Sequence, residues 1–108
     1  MQTLTALADP TRLRIVEMLA QGERSSGEIA RRFKISAPAI SQHLRVLRNA
    51  RLITTRIEGQ RRIQTLDPRG LDEVEAWVSR TRQIWNARLD TLERLLLEED
   101  IKLKSKKK

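Results

Sequence analysis

Two helix-start signals stand eleven residues apart near the middle of the chain, and the space between them admits few folds. In Ser25-Ser26-Gly27-Glu28 the S-x-x-E spacing lets the serine hydroxyl and the glutamate carboxylate each accept from the other residue's backbone N–H at a helix start. In Ser36-Ala37-Pro38 a second hydroxyl cap precedes a proline in the first turn, where its missing N–H costs nothing. A short helix therefore ends near Phe33, Lys34-Ile35 makes a tight connection, and another helix begins at once. Ile29, Phe33, Ile35, Ile40 and Leu44, arranged around the small Ala30, have the spacing of a helix-turn-helix, with Ile35 plugging the turn. Ile40, Leu44 and Leu47 set the inner side of the second helix. That leaves Ser36, Ala37, Ala39, Ser41, Gln42, His43 and Arg45 outside, with Pro38 among them in the first turn.

Charge is concentrated on the same stretch. Between Arg31 and Arg62 nine Lys or Arg residues face one acid, Glu58. Residues 1–30 and 63–100 carry an excess of acid, and residues 101–108 hold five lysines, within a total of +8. Residues 52–56 and 62–66 alternate and include β-branched side chains, and Glu58-Gly59-Gln60 between them reads as the tip of a β-hairpin, a wing beside the helix pair. A basic unit of this kind is the electrostatic footprint of a nucleic-acid binder. Arg31, Arg32, Arg56, Arg61 and Arg62 are expected to neutralise phosphates, with Gln60 at the wing tip. Ser41, Gln42, His43 and Arg45 are expected near base edges. Gln42 offers a donor and an acceptor side by side, as adenine requires; Arg45 has two open readings, a grip on guanine or on phosphate. His43 reads as a packing or phosphate-contacting residue, because a metal would find no second ligand beside it.

Other classes fare worse. There is no cysteine and one histidine, so thiolate metal sites and disulfides are excluded and no metal or cofactor is expected. No apolar run approaches the length of a membrane span, which together with the absence of disulfides points to a cytoplasmic protein without membrane contact. RNA-stacking platforms are lacking, with no tyrosine and one phenylalanine that reads as core. No glycine-rich phosphate loop or catalytic constellation supports an enzyme. The surviving rival is a protein-interaction module that uses the last helix, its basic surface being incidental.

The flanks are helical. Leu4 and Leu7 lie one turn apart in a short helix over 3–8 whose apolar side needs cover. Asp9-Pro10 starts a second helix with Leu13, Val16, Met18, Leu19 and Ala20 as its stripe, ending at Gly22. After Asp67-Pro68, apolar Leu71, Val74, Val78, Trp85, Leu89, Leu92 and Leu96 recur through a helix over 71–98, with Trp77 and Ile84 widening the stripe and Thr81 inside it. Some 28 residues span about 42 Å. So small a domain cannot cover that, so part of the stripe is expected to meet a second copy. The other reading has Trp77 and Trp85 packed on their own domain. The architecture expected is mainly α with a small β-hairpin, one domain over 1–98 and a mobile basic tail over 99–108.

Ala6-Leu7-Ala8-Asp9-Pro10-Thr11-Arg12-Leu13-Arg14-Ile15, then Ile40-Ser41-Gln42-His43-Leu44-Arg45-Val46-Leu47, then the wing, resemble the ArsR-type winged helix-turn-helix repressors, named for arsenical-resistance regulation. The likeness covers nearly all of 4–98. It implies a transcriptional repressor of double-stranded DNA, acting as a homodimer on an inverted-repeat operator. The first and last helices would then form the interface, through Leu4, Leu7, Val74, Trp77, Val78, Thr81, Trp85, Leu89 and Leu92. Each recognition helix would enter a major groove, and each wing would lie against the flanking backbone. Trp85-Asn86-Ala87-Arg88-Leu89-Asp90-Thr91-Leu92-Glu93 is similar to a branch lacking the metal-sensing cysteine and histidine sites, and with no cysteine and only His43 neither of those sites can be built. The family often has glycine where this chain has Arg51: either a left-handed backbone there strains Arg51 by roughly 1 kcal/mol, or Asn49 and Ala50 end the helix differently.

Overall fold

The computed structural model describes residues 1–106. In chain order the elements are α1 (Gln2–Leu7), α2 (Pro10–Ala20), β1 (Arg24–Ser25), α3 (Ser26–Phe33), α4 (Ala37–Asn49), β2 (Ile53–Glu58), β3 (Arg61–Leu66) and α5 (Pro68–Lys106). Local chemistry sets the boundaries. Asp9 accepts from the Arg12 N–H at 3.0 Å to start α2. The capping box of α3 is reciprocal, with both Glu28 N–H to Ser25 Oγ and Ser25 N–H to Glu28 Oε1 at 3.2 Å. Lys34 ends α3 in the left-handed conformation, and Ser36 Oγ accepts from the Ala39 N–H at 3.3 Å to start α4.

One core gathers Ile15, Val16 and Leu19 of α2, Ile29 of α3, Ile40, Leu44 and Leu47 of α4, and Leu52 and Ile53 at the base of the wing. The stripe expected on α2 is turned: Ile15 is fully buried, whereas Leu13 is 42% exposed and Ala20 lies at the surface. Positions 13, 16 and 20 and positions 15, 16 and 19 both fit helical spacing; α2 packs on β3 and α4, which take the second set. In α1 the buried positions are Thr3 and Ala6, while Leu4 and Leu7 are half-buried and Leu7 packs on the chain's own core.

The sheet has three antiparallel strands in the order β1-β3-β2, one more than the expected hairpin, because two residues of β1 pair with Ile63 and Gln64. The hairpin strands each run longer than expected and leave only Gly59-Gln60 as the turn; Gly59 takes φ +61, which a residue without Cβ adopts freely. Arg51 is left-handed at φ 60. The N–H of Gly70 donates to its carbonyl at 2.8 Å, and a Cβ on Gly70 would stand 2.5 Å from that oxygen, so the close seat of the first turn of α5 requires glycine.

Met1–Val74 forms one compact unit, and residues from Glu75 onward form a second. Helix α5 does not stop near residue 98. The segment expected as a mobile tail is helical as far as Lys106, and its residues 107 and 108 lie outside the described residues. Trp77 and Trp85 are 40% and 59% exposed.

Candidate nucleic-acid interface

On α4 the outward positions are those the spacing assigns. Ser36, Ala37, Pro38, Ser41, Gln42 and Arg45 are exposed, and Ala39 and His43 are half-buried. Burial of Ile40, Leu44 and Leu47 fixes the roll of the helix, and that in turn aims Ser41, Gln42 and Arg45 outward. His43 is braced from within: its Nδ1 lies 3.4 Å from Nη1 of Arg12, whose Nε donates to the Ala6 carbonyl at 2.7 Å.

Wing geometry follows from register. Paired residues share a face and neighbours along a strand alternate. Ile53, Thr55, Ile57, Arg62, Gln64 and Leu66 therefore occupy one face, and Thr54, Arg56, Glu58, Arg61, Ile63 and Thr65 the other. Three arginines that sequence groups together are thus divided. Arg62 shares a face with Thr55, which accepts from Arg48 of α4 at 3.1 Å. Arg56 and Arg61 lie on the opposite face, and both are engaged. Arg56 grips Glu23 with two bonds of 2.6 and 2.7 Å and lies 3.3 Å from Glu58. Arg61 bonds Glu28 at 2.8 Å.

Titration follows these pairs. The hydrogen bonds from Arg56 hold the Glu23 carboxyl below its ordinary range, and the same bonds raise the Arg56 guanidinium further above its own. Glu28 is lowered chiefly by the Ser25 backbone N–H of the capping box, with the nearby Arg61 charge adding a smaller part. Among the described residues no carboxylate pairs with Arg31, Arg32, Arg45 or Arg62. Arg31, Gln60, Arg61 and Arg62 line an open hollow of about 490 Å³ that brings the start of α3 and the wing tip onto one surface.

Sequence reasoning missed the connections behind this surface. Gln64 is fully buried, receives the Thr55 hydroxyl at 2.6 Å and donates to Ser26 Oγ at 2.9 Å, so a polar chain runs from Arg48 through Thr55 and Gln64 to Ser26. Its one sequence signal is a polar residue two positions before Leu66 on the inward face of a strand. Glu23 had none, because β1 is too short to announce itself. Among the described residues no group of three His, Asp or Glu side chains gathers as a metal would require, and no helix is long and apolar enough to cross a membrane.

A capped helix with an exposed polar face, crossed by a second helix and flanked by a basic hairpin, defines a winged helix-turn-helix DNA-binding module. Residues 9–55 match the family described as bacterial regulatory protein, arsR family. The chain is 56% identical over 66 residues to the HTH-type transcriptional regulator Rv2034 of Mycobacterium tuberculosis, a match covering 61% of this chain and 62% of that protein. It is 37% identical over 73 residues to the transcriptional repressor SdpR of Bacillus subtilis, covering 68% of this chain and 81% of that one. Among solved structures, a possible transcriptional regulator for arsenical resistance superposes with a TM-score of 0.70 at 42% identity, over 75% of this chain and 84% of that one. The homodimeric winged helix-turn-helix domain Mb0332 of Mycobacterium bovis superposes with a TM-score of 0.62 at 29% identity, over 76% of each chain. The chain belongs to the ArsR family of transcriptional regulators, which are DNA-binding proteins and not enzymes.

Proposed function

We propose that this chain is a cytoplasmic repressor that binds an inverted-repeat operator as a homodimer, with α4 of each protomer in a major groove and each wing on the flanking backbone. The observation that carries the reading is the pairing of an exposed Ser41-Gln42-Arg45 face with Arg31 and Arg32 of α3 and Arg62 of β3, which no carboxylate among the described residues occupies. Ser41, Gln42 and Arg45 approach base edges; Arg31, Arg32 and Arg62 hold phosphates. Ser36, Ala37, Pro38 and Ala39 bring the capped start of α4 close to the backbone. His43 steadies α4 against α2 and meets a phosphate. Gln60 meets the backbone at the wing tip, and Arg56 and Arg61 reach phosphate by exchanging their carboxylates.

Self-pairing is supported by the exposed apolar residues Trp77, Val78, Trp85, Leu89 and Leu92, with Val74, Thr81, Leu4 and Leu7 at its margins, and by the homodimeric relative. Protection mapping on the DNA upstream of the gene tests the reading: two protected half-sites are expected with centres about 10 bp or a multiple apart. Gln42→Ala should relax preference at one base pair, whereas Arg62→Ala should weaken binding to every duplex alike. A single unrepeated half-site, or identical effects of both changes on operator and random DNA, would overturn it.

A further inference from the structure

We infer that Glu23 is an internal stand-in for a DNA phosphate: it occupies the fork of Arg56 in the free protein and thereby restrains the wing's attraction for any duplex. The inference rests on the DNA-binding reading and adds to it a residue that governs how much charge the wing presents.

Glu23 belongs to neither a helix nor a strand. It reaches the wing because the next two residues, Arg24 and Ser25, pair with Gln64 and Ile63 of β3. That pairing sets Glu23 over the face that bears Arg56 and Thr65. Nη1 and Nη2 of Arg56 donate to separate carboxylate oxygens at 2.6 and 2.7 Å, and Thr65 Oγ1 lies 3.4 Å from one of them. This two-pronged geometry is the one guanidinium uses for phosphate as well as for carboxylate. With Nε on Glu58 at 3.3 Å, all three nitrogens of Arg56 already have an acceptor. Two carboxylates around one guanidinium offset its charge and occupy its donors, so while the pair holds Arg56 adds nothing to the attraction for the DNA backbone.

Exchange is nevertheless easy. The side chains of Arg56 and Glu23 are 46% and 49% exposed, and ion pairs so open to water are weakly held. Random duplex, which binds through charge alone, is disfavoured by such a shield, whereas an operator that seats α4 brings a phosphate to the fork at high local concentration. Glu23 thus determines specificity by subtracting from non-specific affinity. Glu28 holds Arg61 similarly, but it also closes the capping box of α3, so Glu23 is the cleaner handle.

The test is the salt dependence of binding to a duplex of random sequence by the full chain and its Glu23→Gln, Glu23→Ala, Arg56→Ala and Glu23→Gln/Arg56→Ala variants, each first checked for an unchanged circular-dichroism melt. One freed arginine per protomer, two per dimer, should steepen the log–log salt slope by about 1.8, which taken back to a 1 M reference is about 60-fold tighter binding at about 0.1 M salt. Both Glu23 variants should show this, Arg56→Ala should resemble the parent, and the double variant should lose the gain. Unchanged or weaker binding by both Glu23 variants, or a gain that persists without Arg56, would overturn the inference. A parent chain that binds no duplex at any salt would sink the DNA-binding reading beneath it.

Discussion

Helices α4 and α5 follow the same amphipathic rule and end in opposite states. In α4, Ile40, Leu44 and Leu47 recur at four and three residues and are at most 2% exposed. In α5, Trp85, Leu89 and Leu92 keep the same spacing and remain 43–59% exposed. Helix α4 follows α3 across a tight turn and has β2 and α2 packed against it. From Glu75 onward α5 is a unit of one helix, and one helix by itself cannot cover its own stripe. Periodicity therefore reports which side of a helix wants cover; it does not report whether the same chain supplies it.

The contrast breaks most sharply under matched truncations. Leu47→Ala should cost about 2–5 kcal/mol of unfolding free energy, since it opens a cavity in a filled core. Leu92→Ala should change the stability of dilute monomer by no more than about 0.5 kcal/mol. Urea melts at a concentration low enough to prevent association read both, and equal losses would mean that α5 is covered within its own chain. The next effect belongs to self-association. Trp85→Ala with Leu92→Ala should weaken the dimer by roughly 2–4 kcal/mol, about 30- to 1000-fold in dissociation constant. Sedimentation equilibrium measures this, and an undisturbed monomer–dimer balance would place the subunit contact elsewhere.

Much of the compact unit was legible in residue order. Both caps of the helix-turn-helix and the glycine of the wing tip are local chemistry, and each appears where its residues predict, whereas nothing in the arginine itself announces the left-handed backbone at Arg51. Readings that needed a partner surface fared less well. Spacing alone could not choose between Leu13 and Ile15, because the choice is made by what packs on α2. The division of the wing arginines was out of reach for a similar reason: it depends on the register of β2 with β3 and on a two-residue strand that delivers Glu23 from far away in sequence. Counted as charge, Arg56, Arg61 and Arg62 are equivalent; placed on two faces, one is open and two are shielded.

The smallest effect probes strain inside the compact unit. Arg51 ends the stretch after α4 at φ 60, with its N–H on the Arg48 carbonyl at 3.0 Å and the Leu52 N–H on the Leu47 carbonyl at 3.0 Å. Those bonds, with Gly70 donating to the Arg51 carbonyl, hold the backbone left-handed against the preference of a residue that carries a Cβ. The Arg51 side chain is exposed and makes no hydrogen bond or ion pair among the described residues. Arg51→Gly relieves strain of roughly 1 kcal/mol and costs about half of that or more in unfolded-chain entropy, so it should raise stability by no more than about 0.5 kcal/mol while leaving self-association through α5 unchanged. Arg51→Asn, which tolerates this conformation better than arginine, should fall between the two in a thermal melt. Should both replacements lower stability, the arginine side chain, rather than the backbone it strains, would be what this corner depends on, and the contrast between a self-satisfied reader unit and an uncovered α5 would lose its one internal exception.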